Sequence, residues 1–249
     1  MTAGRRILIV NPNTSPEVTN TFAEAARFLA PADVAFDSVT GNFGARIVMT
    51  EAENVVAGHS ALDLVARHFD DHDAIILAIS FDTALSALSA LVPVPVIGIT
   101  EAALRVAAKG GRKVGVVLFG HVSQPLYEKV VRSHGYQPVA FEAVTIASTQ
   151  DYLTPHANDE TIIAACRHLQ GAGADAIVIC GAAIVGTASR LQSAVTIPLY
   201  DGTEAVDRAL SEVENDAKQE LRAPPSPGGE TVGLSAELAA FLRGDRHER

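Results

Sequence analysis

The sequence predicts an α/β fold of two pseudo-symmetric lobes, each a parallel sheet flanked by helices, with the active site in the cleft between them. One observation is the regular alternation of short apolar, β-branched runs with longer amphipathic runs, which is typical of parallel sheets wrapped by helices. The other is a repeat: "DAII" at Asp73 recurs as "DAIV" at Asp175, and "VPVIGITEAA" at Val94 is echoed by "TIPLYDGTEAV" at Thr196. We predict lobes at residues 1–105 and 106–212 and a tail at 213–249; the C-terminal segment could cross back to complete the first lobe.

The first lobe begins with a strand, "RRILIVN", that ends in a polar turn. The helix after it is predicted from Thr14 or Ser15 as N-cap, Pro16 at its first position and Glu17 in its first turn. The remaining elements follow from apolar runs bounded by turn residues and from apolar residues at helical spacing. In chain order they are the strand "DVAFDSVTG", the helix "MTEAENVVAGHSALDLVARHFDD", the strand "DAIILAIS", the helix "DTALSALSAL" and the strand "VPVIGI".

The second lobe restarts the same alternation after Gly111. Its predicted strands are "RKVGVVLFG", "AFEAVTI", "DAIVIC" and "TIPLYDG", and its predicted helices are "SQPLYEKVVRSHG", "DETIIAACRHLQGAG" and "ASRLQSA". The tail loses this periodicity from about Asn215 and collects Pro, Gly and charge, which is typical of a linker. Its last segment, "LSAELAAFLRGDRHER", is predicted as a short helix that docks on the body or on a partner.

Composition excludes several classes of protein. The chain has 249 residues, 48% of them hydrophobic, which suffices for one large domain or two small ones. A formal net charge of -10 and the lack of a Lys/Arg cluster argue against nucleic acid as a partner. No apolar run reaches the roughly 18 residues of a membrane span, and the N-terminus resembles no signal peptide. We therefore expect a cytoplasmic protein with no membrane partner.

Metal and disulfide chemistry are not indicated either. The eight His residues are scattered; the nearest to a group, His59, His68 and His72, lie loosely on one predicted helix and its exit and are interpreted as a solvated face, so no metal is expected. The two cysteines, Cys166 and Cys180, are expected to be reduced thiols, and Cys166 lies on the apolar side of its helix.

Four polar turns at strand ends are predicted to line the cleft, because ligands of open parallel sheets bind outside the carboxyl ends of the strands. They are Asn11 to Ser15, Ile79 to Thr83, Phe119 to Ser123 and Cys180 to Gly186. Such turns also terminate strands and cap helices in any protein, so capping and ligand binding are both open for them.

Several of these segments carry a family likeness. "ILIVNPNTS", "TEAENVVAGHSALD", "DAIILAISFDTALSALSALVPVPVIGITEAAL" and "DAIVICGAAIVG" with "IPLYDGTEAV" together resemble the aspartate/glutamate/hydantoin racemase superfamily, over roughly Arg6 to Leu210. The hydantoin and allantoin racemase branch is the most similar, with arylmalonate decarboxylase and maleate isomerase as more distant relatives. The resemblance implies a small-molecule substrate, no cofactor, a homo-oligomer, and two cysteines, one from each lobe, that exchange a proton on opposite faces of a carbon next to a carbonyl.

This chain departs from the family pattern at both cysteines. The first-lobe pattern places Ile79 where the cysteine is expected, with Ser80 beside it. The second-lobe pattern places Gly181 there, with Cys180 one position early. A one-residue slip turns a strand side chain to the other face, so Cys180 is either a buried structural thiol or the sole remaining acid or base.

Other polar residues are candidates for the missing roles. Ser80 could donate to a developing oxyanion or act as a nucleophile, Asp82 could serve as its base, and His121 could replace a thiol as acid or base. Alternatively, Ser80, Asp82 or Thr83 simply caps the predicted helix "DTALSALSAL", and His121 faces solvent. Substrate contacts are predicted at Asn11, Asn13, Thr14, Ser15, Thr83, Gly181 and Ala182. Glu101 and Glu204, at matching repeat positions, are interpreted as first-turn acids of their helices.

Three functions are consistent with these residues and with the resemblance. The first is a cofactor-independent isomerase, of racemase or epimerase type, that acts on a small carbonyl compound such as a hydantoin-like ring or amino-acid derivative. The second is a cofactor-independent lyase or decarboxylase of the same fold, which needs a proton donor on one face only. The third is a hydrolytic or non-catalytic descendant that binds a related ligand.

Overall fold

Two four-stranded parallel sheets form the centre of the molecule in a computed structural model, which describes residues 5–146, 148–154, 156–215 and 230–243. The strand order is β2-β1-β3-β4 in the first sheet and β6-β5-β7-β8 in the second. The strands are β1 Arg5–Asn11, β2 Val34–Thr40, β3 Ala74–Leu77, β4 Val96–Gly98, β5 Val114–Phe119, β6 Phe141–Val144, β7 Ala176–Ile179 and β8 Leu199–Tyr200. The matching order of the two sheets confirms the predicted two-lobed α/β fold.

Helices flank both sheets, most of them at or near the predicted positions, while α6 was not predicted. They are α1 Pro16–Leu29, α2 Glu51–His68, α3 Leu85–Leu91, α4 Ile99–Ala107, α5 Gln124–Ser133, α6 Thr149–Leu153, α7 Asp159–Gly171, α8 Thr187–Leu191, α9 Glu204–Glu214 and α10 Ala236–Arg243. The first of them begins as the sequence indicates, with Ser15 as N-cap and Pro16 at the first position. No helix among the described residues is long and apolar enough to cross a membrane.

The two lobes share one hydrophobic core. One face of the first sheet, including Leu8 and Leu77, and one face of the second, including Val116 and Val178, belong to a single cluster of buried residues. This follows from the alternation of side chains along each strand, since residues two apart point to the same face. The outer faces are covered separately, by α1 and α9 on the first sheet and by α7 and α8 on the second.

The C-terminal helices pack on the first lobe. Helix α9 contacts β3, β4 and α4, and its buried residues Ala205, Val206 and Ala209 join the outer core of the first sheet. Helix α10 lies against α2, with Phe241 next to Phe69 at a ring separation of 5.6 Å. The predicted final helix therefore docks on the body of its own chain. Most of the predicted linker before it lies outside the described residues.

Candidate functional site

A small, partly open cavity lies where the carboxyl ends of β1, β3, β5 and β7 meet. Its volume is about 30 Å³, close to the space that one water molecule takes up in the liquid. Polar groups reach it from both lobes: Asn13 and Ser80 from the first, and Ser123, Tyr127 and Tyr152 from the second. Among the described residues that line it there is no Asp, Glu, Lys, Arg or His, so its lining is uncharged and sets these five polar side chains among apolar ones.

The turn after β1 is stabilised by its own side chains. The buried Asn11 side chain donates through Nδ2 to Asn13 Oδ1 at 2.8 Å and to Thr19 Oγ1 at 3.0 Å. Asn13 Oδ1 also accepts a hydrogen bond from the Ser15 N–H. Only Asn13 of this turn lines the cavity. Asn11 and Ser15 are buried in the turn, while half-buried Thr14 donates its N–H to the Ala45 carbonyl. The structure thus brings one of the four predicted contact residues to the cavity.

The turn after β3 places Ser80 at the junction of the lobes. The Ala182 N–H of the second lobe donates to Ser80 Oγ at 3.1 Å, and Thr100 Oγ1 donates to the Ser80 carbonyl at 2.6 Å. Because Ser80 Oγ already accepts a hydrogen bond, its own O–H is oriented to donate. Ser80, Ala182 and Ile79 line the cavity, whereas Thr83 donates to Asn54 Oδ1 on α2 and lies outside the lining.

The Asp82 carboxylate accepts hydrogen bonds at the start of helix α4. It accepts the N–H groups of Thr100 and Glu101 and contacts His134 Nε2 at 2.9 Å. Burial raises the pKa of Asp82, and the His134 contact opposes that shift. None of the described hydrogen bonds joins Asp82 to Ser80 Oγ, and Asp82 faces a groove on the far side of this turn from the cavity. Asp82 thus caps α4; the predicted capping of α3 is wrong, because the N-cap of α3 is Ala84 and no side chain caps that helix.

The backbone of this turn is unusual for the residues it contains. Asp82 has a φ of 46° and Ala84 a φ of 60°, in the left-handed region that non-glycine residues rarely adopt. As a result, α3 begins at Leu85, three residues later than the apolar pattern predicts. A Cβ at Gly98 would lie 2.4 Å from Asp82 Cγ, so only glycine lets the carboxylate reach the α4 N-terminus. Strain of this kind persists only where surrounding contacts enforce it.

Cys180 points into the shared core. Its side chain is 2% exposed and belongs to the cluster that contains Ala176 and Val178, four and two residues before it in the chain. Burial raises the pKa of the Cys180 thiol to about 12, the nearby Asp82 charge adds to the shift, and contact with Thr100 opposes it. Cys180 is not among the residues that line the cavity. Cys166 is also buried, with a pKa raised to about 12.

Tyr152 is a cavity residue that sequence reasoning missed. It lies on α6, a single-turn helix capped by Ser148, and its ring packs on Phe119 at 5.2 Å. A Cβ at Gly181 would come within 2.7 Å of both Tyr152 Oη and Ile184 Cγ1, so the phenol occupies space that a side chain at 181 would take. The segment "STQDYL" is not the end of a strand, and no sequence pattern indicated that it contributes to the site.

Tyr127 is the second missed residue. It comes from α5, packs its ring on Phe81 of the first lobe at 4.5 Å, and interacts with the Ser80 side chain. Burial raises the pKa values of both tyrosines well above their ordinary range. Both phenols are therefore protonated hydrogen-bond donors at neutral pH.

His121 lies at the end of β5 but is exposed and outside the lining of the cavity. The residue after β5 that lines it is Ser123, whose Oγ donates to the Phe119 and Gly120 carbonyls. The described residues contain no cluster of three His, Cys, Asp or Glu side chains that could hold a metal.

Comparison with known proteins shows the family to which this chain belongs. A family model described as Asp/Glu/Hydantoin racemase matches residues 7–210. The hydantoin racemase of Paenarthrobacter aurescens is 26% identical over 208 residues, covering 82% of this chain and 88% of that protein.

Two solved structures share the fold. Allantoin racemase from Pseudomonas fluorescens has a TM-score of 0.84 and 28% identity, over 92% of this chain and 100% of that one. Allantoin racemase from Klebsiella pneumoniae has a TM-score of 0.83 and 24% identity, over 95% and 98% of the two chains.

Proposed function

Because this chain belongs to the Asp/Glu/Hydantoin racemase family, we propose that it is a cofactor-independent isomerase that moves a proton at the carbon next to a carbonyl. The substrate we propose is a small neutral compound of the hydantoin-like ring class. The observation that carries the proposal is the uncharged, hydroxyl-lined cavity at the junction of the two lobes.

The lining favours a neutral ring over a free amino acid. An α-carboxylate is usually held by Arg or Lys and an ammonium by a carboxylate, and the described lining of the cavity has neither. The C=O and N–H groups of an imide ring need only neutral partners, such as Ser80, Tyr127 and the Asn13 amide. Val18, Val48, Met49 and Phe119 form an apolar wall that suits an aliphatic ring substituent.

Ser80 is the proposed donor to the negative charge that develops on the substrate oxygen. Transfer of the α-proton to water places that charge on the neighbouring carbonyl oxygen, and a buried donor stabilises it more strongly than water does. The Ala182 N–H holds Ser80 Oγ in place without consuming its proton. A ring needs more room than about 30 Å³, so we propose that the wall moves on binding. The lining residues outside helices and strands are Asn13, Ile47, Val48, Met49, Ile79, Ser80 and Phe81.

The test uses enantiopure 5-isobutylhydantoin in D₂O, with optical rotation and the C5 proton signal followed together. We expect loss of rotation together with deuterium at C5, and about a 10²-fold slower exchange in Ser80→Ala, as for removal of one oxyanion donor. Ser193→Ala, at an exposed serine, is the matched control and should leave the rate unchanged. Exchange no faster than the uncatalysed reaction would refute the proposal; a raised melting temperature with the ring alone would then favour a binding protein.

A second candidate is a lyase that protonates an enolate formed by loss of CO₂. It is favoured by the two protonated tyrosines, because decarboxylation needs a proton donor on one face and no base. Its substrate carries a carboxylate, for which the described lining offers no cation, so isomerisation remains the first proposal. Release of CO₂ from phenylmalonate without C5 exchange on the hydantoin would reverse that order.

A further inference from the structure

The residues of the second lobe that line the cavity are Phe119, Ser123, Tyr127, Tyr152, Ala182 and Ala183. The Ser123 hydroxyl donates to the Phe119 and Gly120 carbonyls, which leaves the phenols of Tyr127 and Tyr152 as the candidate proton donors. Building on the proposed function, we propose that the Tyr152 phenol protonates the substrate carbon on its second-lobe face.

The position of Tyr152 distinguishes it from Tyr127. Tyr127 stacks on Phe81 and interacts with Ser80, so its hydroxyl is engaged with the first-lobe side of the cavity. Tyr152 stacks on Phe119 within its own lobe, and its hydroxyl lies near the Ala183 backbone and the open side of Gly181. The two phenols thus have different neighbours, Ser80 for Tyr127 and the Ala183 backbone for Tyr152.

Gly181 makes this placement possible. With a φ of 153° and no side chain, it leaves open the space beside Tyr152 Oη, which any Cβ would approach to 2.7 Å. Ile184 closes the same space from the other side, also at 2.7 Å from that Cβ position. The hydroxyl is therefore held beside the turn that follows β7, next to the Ala182 N–H that positions Ser80.

The chemical step balances with Tyr152 as acid. The enolate carbon takes the proton from Tyr152 Oη and forms the new C–H bond, while the O–H bond electrons remain on the phenol oxygen as tyrosinate. Burial raises the pKa of Tyr152 and so disfavours that tyrosinate, the Ala183 backbone partly offsets this, and water restores the proton when the product leaves. Tyr152 therefore accounts for the return of the proton to the enolate carbon, one of the two proton transfers of isomerisation.

The experiment compares Tyr152→Phe with Tyr200→Phe, which removes a phenol hydroxyl that accepts from Arg112 at 3.0 Å and lies outside the cavity. Deuterium entry at C5 of 5-isobutylhydantoin measures proton transfer, and the melting temperature with the same ring measures binding. We expect Tyr152→Phe to slow exchange by about 10² to 10⁴-fold, the usual contribution of a general acid, while ring binding persists. Tyr200→Phe should exchange at the wild-type rate.

The other outcomes separate the two proposals. Wild-type exchange rates in Tyr152→Phe would overturn the role of Tyr152 and leave the isomerase proposal intact. Loss of ring binding together with exchange would show that Tyr152 is needed for packing, which also overturns it. If the unmodified protein does not exchange C5, the isomerase proposal fails and the role of Tyr152 fails with it.

Discussion

Neighbouring residues at the end of β7 have opposite surroundings. Cys180 continues the alternation of the strand and enters the shared core, while Gly181 turns away and leaves room for Tyr152. A thiol in the core loses the hydration that stabilises its charged form, so it is a poor acid or base whatever its distance from the cleft. Single-residue register therefore decides whether a cysteine here is reactive.

This leads to a prediction about both thiols. Cys166 and Cys180, each buried with a pKa of about 12, should react with DTNB at pH 8 about 10³-fold more slowly in the native protein than in guanidinium, since only the thiolate attacks. Absorbance at 412 nm gives the rate, and mass spectrometry identifies which cysteine is modified. Rapid labelling of Cys180 in the native protein would contradict its buried position and would make Cys180 a candidate proton-transfer group again.

Two helices at matching repeat positions show how equivalent residues diverge. Glu101 in the first turn of α4 and Glu204 in the first turn of α9 fit the predicted role of first-turn acids. Glu101 forms an ion pair with Arg208, whereas Glu204 accepts from the Gly202 N–H at 2.9 Å and lies beside Asp201. Burial, with a further contribution from Asp201, raises the pKa of Glu204 to about 7.

The raised pKa predicts a pH-dependent contribution of Glu204 to stability. A carboxyl whose folded pKa exceeds its unfolded value stabilises the fold fully below about 4.5, and that contribution is lost as pH rises through about 7. Glu204→Gln removes this titration, so its stability relative to wild type should rise by about 2 kcal/mol from pH 5 to pH 8. Urea unfolding at both pH values measures the difference.

A matched control for this prediction is Glu24→Gln on the exposed side of α1. Its stability relative to wild type should be the same at pH 5 and pH 8. If Glu204→Gln behaves as Glu24→Gln does, the Glu204 carboxyl is solvated and the assigned burial is wrong.

At the scale of the whole molecule, the cleft depends on contacts that join the lobes. Phe81 packs on Tyr127, Ser80 accepts from Ala182, and His134, which follows α5, contacts Asp82 of the first lobe. These contacts lie around the shared core, so the shape of the cavity and the relative position of the lobes are set together.

The Asp82–His134 pair gives a test of this coupling. His134→Ala leaves the buried Asp82 carboxylate without its second-lobe partner, and we expect a loss of about 2 to 4 kcal/mol in the free energy of unfolding. His156→Ala, at a largely exposed histidine, is the control and should change stability by less than about 0.5 kcal/mol. Equal stability of the two variants in urea would show that the pair contributes nothing to holding the lobes.

The sequence by itself determined the alternation of strands and helices, the internal repeat, the four strand-end turns and the family resemblance. These are local or repeated patterns, so side-chain periodicity and turn chemistry suffice to predict them. Only the tertiary structure decided which polar side chains reach the cavity. Ser80 and Asn13 do, while Asp82 caps α4 and Cys180 enters the core, because side-chain direction where a strand ends depends on how the backbone turns. Tyr127 and Tyr152 come from helices without any strand-end signal, and packing of the two lobes alone brings their phenols to the site.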